Sequence, residues 1–233
     1  MLQYVYDVAF NRNVQYMYER SFDNTIDATF GIYKGMLSIN LAPSGSANGP
    51  DWPINFDFWK TRVKPSYAKL TSKVKVHRGY MKQWEKHRSQ FFEVIVKSGI
   101  FMNALSNGLV VSGRSKGGAE ASIIALDIVR NFNVLKSNIY VGLLNAPKIG
   151  NKAYKLSVEK YIPKYHIYTV RYCSDIVTML VPTYKNPGDL IQMGKRKKLF
   201  SFKDHVAGCY SEDLLMEYVK DWDGRKGNPY TQA

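Results

Sequence analysis

Cysteine and histidine are scarce in this chain, with two Cys and four His among 233 residues. Two thiols exclude a scaffold built on disulfides and suit a reducing compartment. Cys173 and Cys209 are then either free thiols, the preferred reading, or a single bridge. No His pair stands at i, i+4 and no Cys-x-x-Cys occurs, so no metal-ligand spacing is present and no metal is expected. Long apolar runs are missing too. No stretch reaches the roughly eighteen apolar residues of a membrane-spanning helix. The opening MLQYVYDVAFNRNVQ carries neither the basic nor the uninterrupted apolar segment of a secretory signal. The expectation is a soluble, cytoplasmic protein whose membrane association, if any, is peripheral. Acidic residues are few: 19 Asp and Glu face 33 Lys and Arg, a formal net charge of +14. That imbalance favours anionic partners, either nucleic acid or an anionic membrane surface. No nucleic-acid motif accompanies the charge, so a specific nucleic-acid partner is not expected. The densest basic run is Lys195, Arg196, Lys197 and Lys198, read as a loop because Gly188 and Gly194 punctuate its approach. Such runs commonly serve only solubility; these four are also the candidates for an anionic interface.

The apolar fraction is 45%, enough for a substantial core, and no internal repeat or low-complexity segment interrupts the chain. Residues 1–222 read as one domain and residues 223–233 as a flexible tail. Residues 2–20 have a helical pattern, weakened by Asn11 and Asn13. Thr29 to Tyr33 and Met36 to Leu41 read as strands joined by a Lys34-Gly35 turn. A turn-rich loop, Pro43 to Pro53, follows. Short β-prone runs then alternate with helical spacings: a strand at Val74 to His77, a helix over Tyr80 to Val96, and a strand at Gly108 to Ser112. A helix over Ala119 to Phe132, a strand at Ile139 to Leu144, a helix over Tyr154 to Tyr161 and a strand at Tyr165 to Tyr172 complete the pattern. Strands separated by helices predict an α/β fold with a mostly parallel central sheet flanked by helices.

Chemistry concentrates in Gly113-Arg-Ser-Lys-Gly117. This is G-x-S-x-G between an apolar strand and a helix, the setting in which a sharp turn lifts a serine hydroxyl out of a sheet. The following helix N-terminus supplies backbone N–H groups and a positive dipole end beside any oxyanion. A serine nucleophile needs a base, and the base an orienting acid, in the chain order Ser, Asp, His. His77 and His87 precede Ser115, and His166 lies in a strand pattern, which leaves His205, read as a loop residue ahead of a C-terminal helix. For the acid, Asp175 directly follows a strand, at the end where α/β sites collect. Asp204 is its rival, less favoured because adjacent side chains seldom orient one another.

With these residues assembled, the sequence resembles the class 3 (fungal-type) lipases of the α/β-hydrolase fold over about residues 25 to 215. The resemblance runs in order through Leu37 to Ser46, Asp51-Trp52, Val74 to Tyr80, Gly113 to Gly118, Asn145 to Asn151, Asp175-Ile-Val with Val181-Pro182, and Asp204-His205. It implies Ser115, Asp175 and His205 as a catalytic triad, with oxyanion donors from the Lys116 amide and from Ser44. It implies a lipid or other ester substrate and no cofactor. The family usually has His before the nucleophile and Leu after it, whereas this chain has Arg114 and Lys116. Its oxyanion turn, usually Arg-Gly-Thr or Arg-Gly-Ser, is Ala42-Pro43-Ser44 here. The segment after Asp51 lies where the family places a lid or surface loop. Its aromatics are either an apolar lip or packing beneath that loop. The placement of His77 at a strand-to-helix junction implies a structural role. Two readings result: a serine hydrolase of lipid esters, and an inactive lipase-like protein serving as a binding or structural module, the latter motivated by the altered oxyanion turn and the cations flanking Ser115.

Overall fold

The computed structural model describes residues 2–42, 60–62, 73–195 and 200–210. Its strands are β1 (Gln15–Phe22), β2 (Ile26–Tyr33), β3 (Met36–Leu41), β4 (Lys60–Arg62), β5 (Lys75–His77), β6 (Leu109–Arg114), β7 (Ile139–Leu144), β8 (Ile167–Tyr172) and β9 (Asp189–Met193). Seven of them form one sheet in the order β1-β2-β3-β6-β7-β8-β9, and β4 pairs with β5. The first three strands meander antiparallel, and from β3 to β9 every pairing is parallel. The mostly parallel sheet read from the sequence is therefore present.

β3, β7 and β8 are buried along their whole length, as parallel strands covered on both faces must be. One face is covered by α2 (Arg78–Lys97), α3 (Gly99–Asn107), α4 (Lys116–Asn131) and α5 (Lys152–Tyr161), the other by α1 (Leu2–Ala9). The α2 stripe of Tyr80, Trp84, Phe91, Val94 and Ile95 is the sequence-predicted one. A buried carboxylate locks α2 to α4: Asp127 accepts from Trp84 Nε1 at 2.8 Å and from Arg88 Nε at 2.5 Å. Burial raises the Asp127 pKa, against the pull of those donors. Such a buried group is tolerable because its lone pairs are occupied.

One expectation needs correcting, and further elements go unread in the sequence. The helix predicted over residues 2–20 ends at Ala9, because Asn11 and Asn13 both take φ 55°, the left-handed region that Asn tolerates and a helix cannot continue through. The chain then enters β1, whose residues 15–20 are almost all exposed, so no period-two apolar pattern announces a strand. Between Gly188 and Gly194, ahead of the basic run, lies β9, which the sequence reading does not name. There Ile191 and Met193 are buried and Leu190 is exposed, a strand alternation too short to stand out between two glycines. Finally, α3 has no counterpart in the sequence pattern; Ser98 caps it by accepting from Phe101 N.

Two buried histidines make stability depend on pH. Burial lowers the pKa of His87, with Lys86 and Lys116 adding to the effect and Asp23 opposing it; burial also lowers that of His166. A histidine depressed in the folded state is more readily protonated in the unfolded chain. The contribution is therefore complete above the unfolded value of 6.5 and is lost as the pH falls below it. Melting temperature should decline between about pH 6.5 and 5, less steeply in His87→Gln. A wild-type Tm that climbs on acidification through this window would overturn the assignment.

Candidate active site

Ser115 sits where β6 gives way to α4, with φ 52° and ψ −123°. A non-glycine residue in such a region costs on the order of 1–3 kcal/mol. Hydrogen bonds from Ser115 N to Leu144 O (2.9 Å) and from Ala119 N to Ser115 O (3.1 Å) hold it there. Glycines make the space. A Cβ on Gly113 would overlap the Gly117 carbonyl, and one on Gly117 would overlap the carbonyl oxygens of Leu41 and Ala42 at the end of β3. Strand, turn and helix N-terminus can share so little room only without those side chains. Ser115 occupies the N-cap position of α4, yet its hydroxyl makes no capping bond. It lies 2.9 Å from His205 Nε2 instead.

The contacts continue inward. His205 Nδ1 is 2.8 Å from Asp175 Oδ2, and Asp175 Oδ1 accepts from Val177 N at 2.8 Å. A carboxylate facing Nδ1 selects the tautomer with the proton there, which leaves Nε2 to accept from the serine hydroxyl. Asp175 is wholly buried and His205 nearly so, while Ser115 is half-buried. The structure thus brings Ser115, His205 and Asp175 together in one hydrogen-bonded line.

His205 stands on a helix, not in the loop expected for it: α6 (Phe202–Tyr210) begins three residues earlier. The start signal is present in Ser201-Phe-Lys-Asp204, since Ser201 Oγ accepts from Asp204 N at 3.1 Å as an N-cap serine does. Asp204 Oδ2 accepts from Ser174 N at 3.0 Å, so it braces the Asp175 turn. Ser201 also bridges to Asp175 along the backbone, with Ser201 N bonded to Ser174 O at 2.9 Å. Two residues have a positioning role that the sequence reading does not assign. Asn145, at φ 52°, accepts from Tyr172 N at 2.7 Å; Gln192 Nε2 donates to Cys173 O at 2.9 Å. Together they fix the end of β8, from which Asp175 projects. Asn145 opens the Asn145 to Asn151 segment of the resemblance without a role assigned to it, and Gln192 belongs to no local sequence pattern.

The two cations beside Ser115 are both engaged away from its hydroxyl. The Arg114 guanidinium lies 4.6 Å from the centroid of the Phe10 ring. Lys116 is buried, its Nζ donating to Thr25 O. Its backbone amide opens α4, the position expected of an oxyanion donor. The second expected donor, Ser44, lies outside the described residues, as do the Pro43 turn and the aromatic segment after Asp51. Lys195 is exposed, and Arg196, Lys197 and Lys198 lie outside the described residues. His77 is buried and stacked on Tyr80 at 4.1 Å between centroids, away from the Ser115 line. Cys173 is a free thiol. Near Asp175 and His205 in the chain, Ile176, Leu180, Phe200, Phe202 and Val206 are exposed, and the Phe202 ring centroid is 5.7 Å from that of His205. Among the described residues no cluster of metal-ligating side chains occurs, and no helix is long and apolar enough to cross a membrane.

Comparison with known proteins gives a family model, lipase (class 3), matching residues 41–185. No curated protein matches the sequence. Among solved structures, the Rhizomucor miehei lipase propeptide complex superposes with a TM-score of 0.69 at 18% identity, covering 88% of this chain and 78% of that one. A lipase from Rhizopus microsporus var. chinensis gives 0.64 at 18% identity, with coverages of 81% and 72%. A triacylglycerol lipase from Penicillium expansum gives 0.61 at 18% identity, with coverages of 89% and 84%. At these identities the likeness is one of fold, that of the α/β-hydrolases.

Proposed function

The chain belongs to the class 3 lipase family, and from that premise we propose that it is a serine hydrolase of carboxylic esters of lipids, working through Ser115, His205 and Asp175. Membership supports lipid ester hydrolysis in general; the residue roles and the substrate preference are the proposal. The observation that carries it is the unbroken line of contacts, 2.9 Å from Ser115 Oγ to His205 Nε2 and 2.8 Å from His205 Nδ1 to Asp175 Oδ2.

Each step follows from the atoms in that line. As Ser115 Oγ bonds to the ester carbonyl carbon, its proton passes to His205 Nε2, and Asp175 stabilises the imidazolium that forms. The carbonyl oxygen becomes an oxyanion at the N-terminus of α4, where the Lys116 amide and the helix dipole favour negative charge. Collapse of the tetrahedral intermediate breaks the ester C–O bond, and the alcohol leaves with the proton from Nε2. Water then repeats the sequence on the acyl-enzyme, giving up a proton to His205 and releasing the acid. The relay needs no cofactor. The rival reading, an inactive binding module, draws part of its force from the flanking cations. Their engagement with Phe10 and Thr25 weighs against that part.

The exposed apolar side chains of Ile176, Phe202 and Val206 beside Asp175 and His205 in the chain and the net charge of +14 support a lipid surface, of anionic character, as the place of action. Two assays test the function. A fluorophosphonate probe should label the wild type at Ser115, and p-nitrophenyl esters should turn over with a preference among acyl chain lengths. Failure of both in folded protein would favour the binding module. Liposome binding should strengthen with anionic lipid and weaken with salt; equal binding to neutral and anionic vesicles would remove the anionic surface while leaving the hydrolase.

A further inference from the structure

Lys116 is an unusual residue to find immediately after the serine. Its side chain is 4% exposed, and so is that of Glu120 one turn along α4. Nζ donates to Thr25 O and lies 3.8 Å from Glu120 Oε1. Thr25, in the turn between β1 and β2, is itself pinned: its N and Oγ1 both reach Phe22 O, at 3.0 and 2.9 Å, and Oγ1 is 3.1 Å from His87 Nε2 of α2. An ammonium group so far from water is costly unless its surroundings compensate. An aliphatic side chain, which the resembling family usually has here, would fill the volume without that cost. A hydrogen bond and an ion pair add what packing alone does not: both act on Nζ and fix the direction in which the side chain runs from its backbone.

That direction matters because the same residue carries the first backbone N–H of α4. Next to it, Gly117 abuts the carbonyls of Leu41 and Ala42, so the helix start is wedged between the end of β3 and the strained Ser115. A side chain tied to an anchored turn resists rotation of the peptide unit between Ser115 and Lys116. We propose that the Lys116 side chain, through Thr25 and Glu120, is a positioning device that keeps its own backbone amide aimed at the oxyanion. The proposal rests on the serine-hydrolase reading.

The test must separate positioning from folding. Lys116→Leu alone takes the opposite charge from beside a buried carboxylate, so the informative protein is Lys116→Leu/Glu120→Leu, in which both charges go and apolar side chains take their place. Full-length wild type and double variant are compared in p-nitrophenyl ester hydrolysis, in the rate of phosphonylation by a p-nitrophenyl phosphonate, and in Tm. Poor alignment of an oxyanion donor weakens the transition state and spares ground-state binding. The expected result is a kcat lower by about 10- to 100-fold, a phosphonylation rate lower by a similar factor, and a KM within about twofold of wild type. A folded double variant with wild-type kcat and phosphonylation rate would overturn the positioning role and leave the pair merely structural. So would equal losses in kcat and Tm-corrected folded fraction. A wild type neither labelled nor active would bring down the hydrolase reading, and this inference with it. A wild type active alongside an equally active double variant brings down the inference alone.

Discussion

Ser115→Ala is expected to lower kcat for ester hydrolysis by about 10⁴- to 10⁶-fold, to abolish fluorophosphonate labelling, and to leave Tm almost unchanged. The first two effects follow from loss of the attacking oxygen; what survives is the contribution of binding and the oxyanion donors. Stability is spared for a structural reason. The Ser115 hydroxyl caps nothing in α4, and its hydrogen bond goes to His205. Alanine suffers the same penalty at φ 52° as serine does, so the backbone strain is common to both proteins. The measurement is single-turnover and steady-state hydrolysis of a p-nitrophenyl ester beside a thermal melt. A variant retaining more than about 1% of the rate, a hundredfold loss against the expected 10⁴, would remove Ser115 from the nucleophile's position. The fold would stand regardless, because the elbow is held by Leu144 O and Ala119 N.

Why so much of this site is legible in the sequence while its supports are not comes down to range. The glycines at 113 and 117 answer a local demand: strand, turn and helix must fit within five residues, and only glycine lets the carbonyls of Gly117, Leu41 and Ala42 come as close as they do. Such demands are written into adjacent positions. The order of Asp175 and His205 after Ser115 is likewise readable, because the end of a strand is a topological place that periodicity finds. Asn145 and Gln192 answer demands set by neighbours in space. Asn145 is paired with β8 across the sheet, and Gln192 reaches Cys173 from β9, a strand hidden between Gly188 and Gly194. The helix expected over residues 2–20 fails for another reason. β1 lies at the sheet edge and leaves Tyr16, Met17 and Tyr18 exposed, so its side chains carry no burial period to read. His205 is found by elimination among four histidines, a route that says nothing of its helix, although Ser201 and Asp204 spell out the cap.

The two carboxylates near His205 give the sharpest separation between orienting the base and bracing the fold. Asp175→Asn should reduce kcat by about 10⁴-fold, whereas Asp204→Asn should change it by less than about threefold. In the first variant the one amide oxygen has two claimants. Val177 N–H, a part-buried backbone donor 2.8 Å from Oδ1, loses its acceptor if that oxygen turns away. If the oxygen stays with Val177, the amide NH₂ faces His205 Nδ1, which must then accept. The imidazole proton moves to Nε2, and the ring no longer takes the proton of Ser115. In the second variant, the amide that replaces the Asp204 carboxylate still offers an oxygen to Ser174 N–H, at present 3.0 Å from Oδ2. What goes is one negative charge in the first turn of α6, worth about 0.3–1 kcal/mol of stability. Rates at neutral pH and melts of both variants decide the matter. Loss of activity in Asp204→Asn with retention in Asp175→Asn would reverse the acid assignment. Comparable losses in both, with Tm held, would mean that the turn from Tyr172 to Asp175 sets the imidazole's orientation as a unit, and that bracing and orienting are one function in this protein.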